Sequence, residues 1–70
     1  MKVKVILYPN AREEYVVIEG RSKATVSKVL KELGLNEYVA VPVKDGTPLT
    51  GDYVLSDGDT VEVYEVISTG

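Results

Sequence analysis

Seventy residues with a formal net charge of −3 make one domain and leave no room for a second. The chain has neither cysteine nor histidine. That excludes a disulfide framework, thiolate metal sites, a cysteine nucleophile and the commonest general base. No apolar run approaches the ~20 residues of a membrane span, so the expectation is a soluble, cytoplasmic domain with no membrane partner.

The first residues read as a strand. Val3, Val5 and Leu7 alternate with Lys2, Lys4, Ile6 and Tyr8, the period of two that a half-buried strand requires. Pro9-Asn10 breaks the pattern, and a second short strand runs from about Glu14 to Ile18 before Glu19-Gly20. Two neighbouring strands joined by a brief polar turn predict an opening hairpin.

From Thr25 the period changes. Val26, Val29, Leu30 and Leu33 recur at helical spacing and place one apolar stripe along a helix. Thr25 is the candidate N-cap, and Gly34 supplies the left-handed residue that stops the helix. Leu35 beyond it is placed to fold back on the last turn, as a Schellman motif requires.

Val39, Val41 and Val43 then alternate with Ala40, Pro42 and Lys44. Pro42 has no N–H, so that position of the strand must face an unpaired or bulged site. Asp45-Gly46 is a tight-turn pair leading into the short segment Thr47-Pro48-Leu49. Gly51-Asp52 opens a compact connection in which Tyr53, Val54 and Leu55 form a turn-sized apolar patch. Asp57-Gly58-Asp59 reverses the chain into a last strand, with Val61 and Val63 pointing inward and Glu62 and Tyr64 outward.

One helix can bury the apolar faces of these strands only if they form a single sheet wrapped across it. The expected fold is therefore α+β: a β-grasp with a mixed sheet of four to five strands packed on one α-helix, the first and last strands adjacent and parallel. Residues 1–66 form the domain, and 67–70 (Ile67, Ser68, Thr69 and Gly70) form a C-terminal tail. Glycine at the end of a tail presents the least hindered acyl group a chain can offer.

The charge is unevenly spread. Residues 1–35 carry seven basic and four acidic side chains, whereas residues 36–70 carry one basic and seven acidic. An acidic second half argues against phosphate-backbone binding, and so against a nucleic-acid partner, and favours a partner with a basic docking surface. Asp57 and Asp59 read as turn formers rather than an acid–base pair, because no histidine or further acid converges on them. Lys28 and Lys31 share their helix face with Glu32 and read as a solvated surface. No serine has a histidine partner and no glycine-rich phosphate loop exists, so any chemistry belongs to a partner enzyme.

Three segments in order carry a family resemblance. Thr25-Val26-Ser27-Lys28-Val29-Leu30-Lys31-Glu32-Leu33-Gly34-Leu35 resembles the helix of the ThiS/MoaD sulfur-carrier family. Val39-Ala40-Val41 followed by Asp45-Gly46 resembles its third strand and turn. Leu55-Ser56-Asp57-Gly58-Asp59-Thr60-Val61-Glu62-Val63 is similar to its Leu-x-Asp-Gly-Asp-x-Val-x-aliphatic signature. The resemblance implies a ubiquitin-like β-grasp protein with no bound cofactor or metal. Its terminal glycine, Gly70 here, is adenylated by an ATP-dependent activating enzyme and converted to a thiocarboxylate. That group would serve a sulfur-accepting synthase subunit in molybdopterin or thiamine biosynthesis, a tRNA-modifying branch, or a target protein modified at lysine.

One departure is plain: the family ends in Gly-Gly and this sequence in Thr69-Gly70. Threonine is β-branched and adds width where a partner's channel expects none. Either the partner tolerates it, or a final glycine follows in the native sequence, or the chain is a non-covalent ubiquitin-like interaction module without tail chemistry. The docking surface expected under any of these is the sheet face away from the helix. Ile6, Tyr8 and Tyr64 would form its centre, with Glu62 and Glu65 at the rim.

Overall fold

A computed structural model describes residues 1–36 and 38–66. Among these residues seven strands and one helix follow in the order β1 (Lys2–Tyr8), β2 (Arg12–Val17), β3 (Lys23–Thr25), α1 (Val26–Glu32), β4 (Ala40–Lys44), β5 (Thr47–Pro48), β6 (Val54–Ser56) and β7 (Thr60–Glu65). Five of the strands make one mixed sheet in the order β2-β1-β7-β4-β5, and β3 and β6 make a separate two-stranded sheet. No helix among the described residues is long and apolar enough to cross a membrane.

The opening hairpin forms in an unbroken antiparallel register from Lys2↔Val17 to Leu7↔Arg12. β2 begins at Arg12, two residues earlier than the sequence pattern indicates, because an Ala11 turn residue with φ 56° swings the chain straight into pairing. β1 and β7 are parallel neighbours, with Val5 beside Val61 and Leu7 beside Val63. These alternating positions are the buried ones, and Val26, Val29 and Leu30 of α1 join them in one core cluster. The phase of both strands is therefore the one the period-two pattern implies.

The helix ends are built as the sequence indicates. The Thr25 hydroxyl accepts a 3.2 Å hydrogen bond from the Lys28 amide, and the Val26 and Ser27 amides donate to the Tyr53 and Gly51 carbonyls at 2.9 Å each. At the other end Gly34 has φ 74°, Gly34 N–H donates to Lys31 O and Leu35 N–H to Leu30 O. This pair of bonds is a Schellman closure, and it folds Leu35 back against the core.

One expectation is corrected. Tyr53-Val54-Leu55 is not a turn-sized patch: Val54–Ser56 is a strand, paired antiparallel with Lys23–Thr25 so that Ala24 faces Leu55. Leu55 is fully buried while Val54 is about half exposed. Thr25 thus serves twice, as the last residue of β3 and as the cap of α1. β4 takes a facing that the sequence pattern leaves open. Ala40 and Pro42 face the core and Val41 lies on the open side.

Pro42 sits where a missing donor is harmless. Its carbonyl accepts from the Leu49 amide at 2.8 Å, so its nitrogen faces the same side, where β5 has already stopped at Pro48. Asp45-Gly46 makes the tight turn between these strands, with φ 52° and 79°, as two-residue hairpin turns of this type require.

Candidate functional site

β1 and β7 present their second set of side chains on the face away from α1. The parallel register sets Tyr8 beside Tyr64 and Ile6 beside Glu62. The two rings stack with centroids 4.8 Å apart and planes 11° from parallel, a geometry favourable for aromatic pairs. Tyr64 remains 43% exposed, which leaves much of the ring free to meet another surface. Ile6 and Tyr8 are half-buried.

Glu62 lies between the two phenols. Tyr64 OH donates to its Oε2 across 3.5 Å, and hydrogen bonding to the same carboxylate, helped by partial burial, holds the Tyr8 phenol above its ordinary pKa. β4 widens the cluster, because Val41 pairs with Tyr64 and Val43 with Glu62. Val41 carries no facing signal of its own, because Ala40 to Val43 are all apolar.

Glu65 is placed differently from the expected rim. It pairs with Ala40, so strand alternation turns it toward the helix side. It approaches the tyrosines only at the sheet's end, where it lines a hollow with Tyr8, Pro9 and Tyr64.

Towards β2 the same face becomes polar and aromatic. Lys4 Nζ pairs with Glu13 Oε1 at 2.7 Å, and that hydrogen bond and charge hold the lysine above its ordinary pKa. Lys2 Nζ stands 4.5 Å from the centre of the Tyr15 ring, a cation–π contact.

Elsewhere the polar groups are committed to structure. Asp57 Oδ1 accepts from the Lys2 amide at 2.7 Å and Asp59 Oδ2 from the Ser56 amide at 2.8 Å. These are turn roles, as the sequence indicates. Lys28 pairs with Glu32 at 2.9 Å, and that contact holds the glutamate below its ordinary pKa. No group of three or more acidic residues that could hold a metal gathers among the described residues. An open groove of about 530 Å³ runs between α1 and β4, floored by Val26, Leu30, Pro42 and Leu49 and bordered by Ser27 and Asp52.

No protein-family model and no curated protein matches this sequence. What remains is the geometry. The open face is an apolar and aromatic strip, Ile6–Tyr8–Tyr64–Val41, with Glu62 as the one acid in it. The expected acyl terminus Gly70 and the tail residues Ile67, Ser68 and Thr69 lie outside the described residues.

Proposed function

We propose that the protein is a ubiquitin-like β-grasp carrier whose Gly70 is adenylated and thiocarboxylated by an ATP-dependent partner enzyme. The thiocarboxylate then donates sulfur or joins the protein to a target. The β-grasp reading is supported by the sheet order β2-β1-β7-β4-β5 with one helix packed against it. The observation that carries the functional reading is β7. It is the central strand of the sheet, it stacks Tyr64 on Tyr8 on the open face, and residues 67–70 follow it in sequence after Val66. A partner that grips this strip has the tail next in line, so docking and chemistry are coupled through one strand.

The test is incubation with an activating enzyme from the same organism, ATP and a sulfur donor, followed by intact mass measurement. The expected result is the gain from exchanging one carboxylate oxygen for sulfur. Conversion of a Thr69→Gly variant without conversion of the wild-type chain would retire the carrier role.

Thr69 supports a second reading, a docking module that uses the same strip without tail chemistry. Removing Gly70 separates the two: a docking module keeps its partner affinity and its cellular role, and a carrier loses its activity.

A further inference from the structure

The two outer edges of the five-stranded sheet are treated very differently. β5 is only two residues long and ends in Pro48, the kind of edge that cannot template another strand. β2 is six residues long, contains no proline, and pairs without a bulge along its whole length.

Its free backbone groups can be identified. Met1 and Ile18 exchange both hydrogen bonds, Ile18 N–H to Met1 O at 2.8 Å and the Met1 amine to Ile18 O at 2.9 Å. In an antiparallel ladder bonded pairs alternate with non-bonded ones. The residues of β2 that bond to β1 are therefore Arg12, Glu14 and Val16. Those of Glu13, Tyr15 and Val17 point their N–H and C=O groups outward. The outward bonding of Lys2 and Lys4 toward the Asp57–Asp59 turn, through Gly58 N–H to Lys2 O and Lys4 N–H to Asp59 O, has the same parity.

Charge does not guard this edge. Glu13 is paired with Lys4, and Arg12 Nε with Glu14 Oε1 at 3.2 Å, so each charge on the strand is already matched. Tyr15 and Val17 are 55% and 57% exposed beside the open groups.

We infer that β2 is a self-association edge, and that its occupant is β2 of a second copy of this chain, paired antiparallel about a two-fold axis at Tyr15. That register places Tyr15 opposite Tyr15, Glu13 opposite Val17, Glu14 opposite Val16 and Arg12 opposite Ile18 of the second copy. All the outward groups of Glu13, Tyr15 and Val17 are then bonded, and no like charges meet. Moving the axis to Glu14 sets Glu14 against Glu14, and moving it to Glu13 sets Glu13 against Glu13; directly opposed like charges disfavour both. The two sheets join into one continuous sheet through an isologous contact. An edge of this length buries less than a standard interface, so the dimer dissociates on dilution.

Sedimentation velocity across a dilution series of the full chain, combined with amide hydrogen exchange, tests this. The expected result is a concentration-dependent dimer in which the Glu13, Tyr15 and Val17 amides gain protection, while those of Glu14 and Val16 are protected throughout. Two substitutions at the exposed Val17 then test the register, with far-UV circular dichroism confirming that each variant is folded. Val17→Lys places an ammonium opposite Glu13 of the second copy and tightens the dimer. Val17→Glu places a carboxylate there and weakens it. Because the two-fold repeats the contact, each shift is roughly 2- to 30-fold in the dissociation constant. A monomer at every concentration, unchanged exchange at those three amides, or a shift of the same sign in both variants would overturn the inference.

Discussion

Leu55→Ala is the sharpest test of the two-stranded sheet that the sequence pattern conceals. Leu55 has no exposed surface and belongs to the same cluster as Val3, Val26 and Val63. The substitution removes three carbons, about 2.4 kcal/mol at ~0.8 kcal/mol per methylene. The hollow left behind brings the total to ~2.7–5 kcal/mol. A 70-residue domain at ~0.05–0.15 kcal/mol per residue holds only about 3.5–10 kcal/mol in all. The variant therefore loses a quarter of its stability or more, and at the lower end of that range it does not stay folded. Urea unfolding followed by far-UV circular dichroism reads this as a fall in midpoint at unchanged slope. Val54→Ala, one residue earlier and 51% exposed, is the control and costs within ~0.5 kcal/mol. A loss below ~1 kcal/mol at Leu55, or an equal loss at Val54, would refute the placement of β6 in the core.

Tyr64→Ala weakens binding of the partner by ~1–3 kcal/mol, as for an aromatic anchor, measured by calorimetry. It costs fold stability only about 1 kcal/mol through the lost ring stack. Val63→Ala does the reverse, since that side chain is fully buried; it costs ~2–3 kcal/mol of stability with partner contacts intact. Ala11→Gly relieves a left-handed residue at φ 56° and raises stability by about 0.5–1 kcal/mol in the same urea assay. Tyr8 titrates above its ordinary range because of Glu62, and Glu62→Gln brings it down in a tyrosinate absorbance titration. Since the fold raises this pKa, the contribution is complete below the unfolded-state value and is lost as pH rises through the folded-state one.

Elements that obey a single period were legible in the chain. Val3, Val5 and Leu7, the stripe from Val26 to Leu33, and Val61 and Val63 all sit where their spacing puts them, because one buried face per element leaves one phase. β4 was legible as a strand but not in its facing: every residue from Ala40 to Val43 is apolar, so alternation alone cannot choose a side. The fold buries Ala40 and Pro42 and leaves Val41 exposed. β3 and β6 were missed because three residues are too few to show a period, and because Thr25 was fully accounted for as a cap. The pairing of Ala24 with Leu55 is a tertiary fact that local propensity does not encode. On the open face, Ile6, Tyr8, Glu62 and Tyr64 were readable once β1 and β7 were set side by side. Val41 depended on the facing of β4.

The stitching of β1 to β7 has a consequence for how the protein is made. β1 is synthesised well before β7, yet β7 is its inner neighbour in the sheet. The Asp57–Asp59 turn is buttoned onto the same strand through Lys2 and Lys4. Until β7 emerges, β1 has only β2 to pair with, and an isolated two-stranded hairpin is marginal in water. Helix α1 is too short to persist alone. The sheet therefore closes only once β7 is made, through a pairing of long sequence separation.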